Sequence, residues 1–175
     1  MTRLGLTVIP LLLGGLTAFG GAPAPPISPG IPGASWPLTP GPDSVVRDYD
    51  PPTLPWLTGN RGIDLAGHEG QTVHAATAGV VSFAGQVGGV GVVTVTSGPL
   101  RTTYEPIRAT VHEGQPVALG ATLGRLVRSG SHCFPQACLH WGLLRGSEYL
   151  DPLALLGMER VRLLPLPDSR PQEGN

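Results

Sequence analysis

The chain has 175 residues, 41% of them apolar, and a formal net charge of −1, which suits one domain with short extensions. A near-zero charge without basic clusters excludes the electrostatic footprint of nucleic-acid binding. With 26 Gly and 20 Pro, turns are favoured over long helices, and all 11 basic residues are Arg.

Arg3 forms a short basic region ahead of an apolar run from Leu4 to Phe19, and Gly20, Gly21 and Ala22 follow. This order reads as a secretory signal over residues 1–20, cut near Gly20. The expectation is a secreted or extracytoplasmic protein of the cell envelope, with no stable membrane span after cleavage. Pro10, Gly14 and Gly15 argue against a buried helix here, and the run is short for a transmembrane one. Residues 21–42 are dense in Pro, Gly and Ser and read as an extended linker. Residues 158–175, with Pro165, Pro167 and Pro171, read as a second such segment.

Between them, residues 43–157 form the folded domain. Short apolar runs alternate with turn signals at Val45 to Tyr49, Thr72 to Ala75, Val80 to Ala84, Val92 to Thr96, Arg101 to Tyr104, Thr122 to Val127 and Leu139 to Leu144. These predict strands, mostly antiparallel because the connections are short. One helical segment follows, with Asp151 as N-cap, Pro152 at the first position and Gly157 at the end. Glu69-Gly70-Gln71-Thr72-Val73 is echoed by Glu113-Gly114-Gln115-Pro116-Val117, each a tight turn feeding a strand. The predicted class is all-β, a compact antiparallel β-sandwich or barrel-like hybrid with one short C-terminal helix. Lipoyl and biotinyl carriers use such echoes, but they need a modifiable Lys and this chain has none.

Chemistry-bearing residues are few: His68, His74, His112, His132, His140, Cys133 and Cys138. In an exported chain, two Cys this close favour a Cys133–Cys138 disulfide over a metal pair. It would pin the intervening loop against the strand holding His140. Cys138 and His140 are two apart on a predicted strand, so their side chains share a face while Leu139 takes the other. Asp64 by itself reads as a turn or strand-edge carboxylate, and His140 as a partly buried strand His. Tyr104 and Trp141 read as packing residues, with Glu105 on the strand face opposite Tyr104.

Together, Asn60-Arg61-Gly62-Ile63-Asp64-Leu65-Ala66, Gly70-Gln71-Thr72-Val73-His74-Ala75, Ala78-Gly79-Val80-Val81, Thr103-Tyr104, Glu113-Gly114-Gln115-Pro116-Val117, Leu139-His140-Trp141-Gly142 and Asp151-Pro152-Leu153 resemble the lysostaphin-type (LytM-like) zinc endopeptidases that cut peptidoglycan peptides. The resemblance runs from about Asn60 to Leu156. It implies a zinc held by a His, an Asp four residues later and the second His of a His-x-His strand. The strand's first His and a His two residues after a Tyr would assist catalysis. Asp64 and His140 match ligand positions. Asn60 stands where the first ligand His is expected, Cys138 and Pro106 where the two assisting imidazoles are expected.

A catalytic zinc normally has three protein ligands and an open fourth position, and an Asn amide oxygen is a weaker donor than imidazole. Losing one good ligand would cost roughly 3 kcal/mol, about two decades in affinity. The departures therefore imply a zinc site that is weak or lost. His132, next to Cys133, reads equally as a replacement site residue, ligand or catalytic, and as a solvated loop residue; His68 is a less direct reach, and His74 and His112 carry no assigned role. The expected function is a secreted, peptidoglycan-directed domain that binds the wall or regulates another cell-wall hydrolase. The rivals are an active zinc endopeptidase using Asp64, His140 and either Asn60 or His132, and a purely structural envelope module.

Overall fold

A computed structural model describes residues 33–158. The predicted signal segment, the start of the linker and the tail beyond Met158 lie outside the described residues.

The strands in chain order are β1 (Val45–Arg47), β2 (Gly62–Gly67), β3 (Thr72–His74), β4 (Gly79–Val87), β5 (Val90–Ser97), β6 (Leu100–Glu105), β7 (Ile107–Ala109), β8 (Pro116–Val117), β9 (Thr122–Leu126), β10 (Ala137–Arg145) and β11 (Glu148–Leu150). One sheet runs β1-β2-β10-β6-β5-β4-β8, with β11 also paired to β10, and a smaller one runs β3-β9-β7. Every pairing is antiparallel. The all-β antiparallel architecture is as the residue pattern predicts. Short 3₁₀ turns at Gly41–Ser44 and Pro152–Leu156 are the described helical segments. In the second, the Asp151 carboxylate accepts from the Leu153 N–H at 2.9 Å, and Gly157 closes it at φ 68°, so the predicted caps are in place on a 3₁₀ turn.

The core forms where the two sheets face each other, around Trp141, Tyr104, Leu38, Ile63, Leu65, Leu123, Leu126 and Leu139, all essentially without exposure. Tyr104 is anchored there because its hydroxyl donates to Thr102 Oγ1 and accepts from the Ala76 N–H, both at 2.9 Å. Burial pushes its phenol up to about 12 despite those bonds. The first eight residues of β10 are all buried, the mark of a strand covered on both faces.

The sequence echo is also a structural one. In each copy the Gln side-chain oxygen accepts from the N–H of the His three residues earlier, at 3.0 Å in His68/Gln71 and 3.2 Å in His112/Gln115. Gly70 (φ 81°) and Gly114 (φ 83°) supply the left-handed position that such a turn requires.

Two expectations need correction. Residues 35–38 of the predicted linker belong to the fold. Leu38 is fully buried and Trp36 packs on the core with its ring 6.1 Å from that of Trp141. Backbone bonds from Ser35 N to Ala76 O and from His74 N to Pro37 O tie the segment down. Pro-rich composition hid two large apolar side chains, whose burial outweighs the local tendency to remain extended. Asp64 lies in neither a turn nor an edge, because β2 is flanked by β1 and β10. Gly62, Asp64 and Gly67 interrupt the apolar alternation by which strands are read.

Candidate metal centre

The site is built on the β2–β10 ladder, where Asp64 and His140 are direct cross-strand partners. Paired residues share a face, so His140 Nδ1–H donates to Asp64 Oδ1 at 2.8 Å. Gly62, two residues before Asp64, leaves the room this ring needs: a Cβ there would lie 2.9 Å from His140 Nε2 and 2.3 Å from the Trp141 carbonyl oxygen.

His132 arrives from the loop between β9 and β10. Its Nδ1–H donates to the same Asp64 Oδ1 at 3.2 Å, and its ring centroid lies 4.8 Å from that of His140. Two local devices hold this loop. Cys133 and Cys138 form the predicted disulfide, and buried Ser131 accepts through Oγ from the N–H groups of Cys133 and Cys138, at 3.1 and 3.0 Å. Oxidation removes Cys138 from the set of metal-ligating thiolates. Cys138 and His140 share the site face, whereas Leu139 belongs to the core cluster, as strand alternation predicts.

The electrostatics follow from this packing. Burial by itself would raise the Asp64 carboxyl, but hydrogen bonds from His132 and His140, with their charge, hold it at about 2. The Asp64 hydrogen bond raises the His132 imidazole above its ordinary value against partial desolvation, with help from Glu105 and opposition from Arg47. Asp64 is 1% exposed, His140 10% and His132 40%.

Asp64, His132 and His140 place one donor atom each within 4.8 Å of one another. Two imidazoles and a carboxylate form a donor set that suits zinc and leaves a fourth position open. The buried Asp64 Oδ2 lacks a hydrogen-bond partner among the described residues, the kind of orphaned charge that a cation would satisfy. The residues present therefore fit a metal. Asn60 is buried beside β2, and its Nδ2–H donates to the Asp48 carbonyl at 3.0 Å, so the NH2 side of its amide is engaged with backbone.

Elsewhere, His68 and His112 are exposed and their Nδ1–H groups donate to neighbouring carbonyls of Glu69 and Glu113. His74 Nδ1–H donates to Gly120 O. His68 and His74 line an open cavity of about 670 Å³ with Arg125, apart from the three-residue cluster. Pro106 lies between β6 and β7 and offers no side-chain donor. Glu105 was missed as a site-facing residue, although its alternation with Tyr104 pointed to it: it is the direct strand partner of His140.

Comparison with known proteins bears on the fold and the family. The chain is 46% identical over 136 residues to uncharacterized proteins of Mycobacterium tuberculosis and Mycobacterium bovis, covering 75% of this chain and 54% of each relative. It thus spans about half the length of the curated relatives it matches. Among solved structures, Helicobacter pylori Csd3 superposes with a TM-score of 0.52 at 26% identity over 67% of this chain and 33% of that one. The catalytic domain of the prophage-encoded M23 protein EnpA from Enterococcus faecalis gives 0.55 at 21% over 67% and 94%. A zinc-containing peptidase from Vibrio cholerae gives 0.57 at 16% over 72% and 39%. The last two likenesses carry the fold alone. The model of Peptidase family M23 matches residues 58–152, more than half the chain and the span that holds Asp64, His132 and His140; the chain belongs to peptidase family M23.

Proposed function

We propose that this is an exported, peptidoglycan-directed domain that holds zinc through Asp64, His132 and His140, with hydrolysis impaired or lost, and that it works as a cell-wall binder or as a regulator of another hydrolase. Export rests on the Arg3-to-Ala22 pattern, and peptidoglycan on the lysostaphin-type resemblance. The observation that carries the reading is that His132 and His140 converge on the same Asp64 oxygen. With both imidazoles committed there, none remains beside the centre for proton transfer, because Pro106 and disulfide-bonded Cys138 stand at the two assisting positions. Those roles are worth about 10²–10⁴-fold for proton transfer and 10²–10³-fold for oxyanion stabilisation. Bound zinc would polarise a peptide carbonyl and lower the pKa of a bound water.

A second reading, a working zinc endopeptidase, draws on His132 being 40% exposed and able to serve the chemistry instead of the metal. Metal analysis of the purified protein and an assay on purified cell walls separate the two. The expected result is bound zinc and wall binding without muropeptide release. Release that is abolished by chelator and restored by zinc would hand the case to the endopeptidase.

A further inference from the structure

The ladder register pairs Arg47 with Asp64, Asp64 with His140 and His140 with Glu105. Direct partners in a regular antiparallel ladder point to the same face, so Asp64, His140 and Glu105 form one row across β2, β10 and β6, and Arg47 stands at its β1 end, where the register shifts between Val45 and Arg47 and brings Arg47 opposite Asp64. Tyr104 is fully buried in the core, which by alternation turns Glu105 to the His140 face. The outer members of the row, Arg47 and Glu105, carry opposite charge.

Neither outer charge is used up by the fold. The half-buried Glu105 carboxylate has no hydrogen-bond or ion-pair partner among the described residues. Arg47 spends one Nη2 contact, at 3.3 Å, on the Gly59 carbonyl, leaving the rest of its donor fork. The metal-ligating residues lie between them and keep them apart.

We propose that Arg47 and Glu105 clamp the two ends of a short peptide laid across the Asp64–His140 pair, its free carboxylate on Arg47 and its free ammonium on Glu105. The assignment rests on the peptide-directed reading above and adds what that reading lacks, a ligand with two charged ends in a fixed direction. Strand spacing of about 4.8 Å puts β1 and β6 roughly 14 Å apart, the reach of about four extended residues at ~3.4 Å each. An Arg fork matches a carboxylate in two-point contact, and a carboxylate held half out of water gains from an ammonium partner.

The test is an NMR titration of the full chain, metal-free and zinc-loaded, with tetraglycine, N-acetyl-tetraglycine and tetraglycine amide. A free amine can itself ligate zinc, so the metal-free titration decides the clamps. In the native chain, acetylation and amidation should each weaken binding about tenfold, the effect of losing one charge-assisted contact. Glu105→Gln should erase the acetylation penalty alone, and Arg47→Gln the amidation penalty alone. Indifference of the native chain to both caps, or equal penalties in native and variant chains, would overturn the assignment. Zinc content of the same samples reports separately on the metal reading. Selectivity for the ends without bound zinc would uphold the clamps and sink the zinc centre, and zinc without selectivity would do the reverse.

Discussion

Asp64 and His140 are 76 residues apart in the chain, yet Nδ1 of one lies 2.8 Å from Oδ1 of the other because they are direct partners on adjacent strands. The Asp64–His140 part of the site is positioned by backbone hydrogen bonds of the ladder, and His132 is added from a tethered loop. Asp64→Ala and His140→Ala should each abolish zinc binding measured by calorimetry, whereas His74→Ala and His112→Ala should leave it unchanged. Equal loss in His74→Ala would move the centre elsewhere.

In the proposed centre His132 is the ligand from the loop, so His132→Ala should weaken zinc about 100-fold, the cost of one good ligand. Asn60→His works in the opposite direction. Its ring offers one nitrogen to the Asp48 carbonyl that Asn60 now bonds and another to the metal, and about tenfold tighter zinc is expected. Competition against a zinc chelator reads both changes, and an Asn60→His variant no tighter than the native chain would count against position 60 as a latent ligand.

The Cys133–Cys138 bridge closes a short loop next to His132. Intact mass should be two hydrogens below the reduced chain. Reduction, or the paired change of both Cys to Ser, should cost about 2 kcal/mol in a urea titration and weaken zinc as His132 loses its tether. Unchanged zinc affinity on reduction would show that Ser131 alone holds the loop.

Gly62→Ala should damage both stability and the centre, because the added carbon would meet the Trp141 carbonyl at 2.3 Å and His140 Nε2 at 2.9 Å. A loss of about 2 kcal/mol is expected from forcing β2 away from β10. Urea unfolding and zinc calorimetry on one preparation test the two effects together.

The metal-free protein should be most stable in mildly acidic solution. Asp64 titrates at about 2 in the fold against an ordinary 3.8, so its contribution, about 2 kcal/mol, is present above the ordinary value and lost as pH falls toward 2. His132 is raised above 6.5, so its contribution is complete below that value and lost as pH rises through its folded pKa. Urea midpoints at pH 2, 5 and 8 should therefore peak at the middle value. A midpoint that climbs steadily from pH 2 to 8 would contradict the Asp64–His132 pairing.

Strand runs, the Asp151 and Gly157 caps, the paired Gln turns and the disulfide were legible in the sequence because each depends on local periodicity or on residues a few positions apart. The Asn60-to-Asp64 and Leu139-to-Gly142 motifs likewise carried the family and two of the three residues of the candidate metal cluster. Tertiary structure alone decided the rest. Trp36 and Leu38 joined the core because burial of apolar surface is set by what a segment meets, not by its own composition. His132 became a site residue because a loop end, tied at Cys133, falls over β2, a contact between positions 68 apart. The row from Arg47 to Glu105 exists only through strand register, which long-range backbone pairing determines and no local pattern encodes.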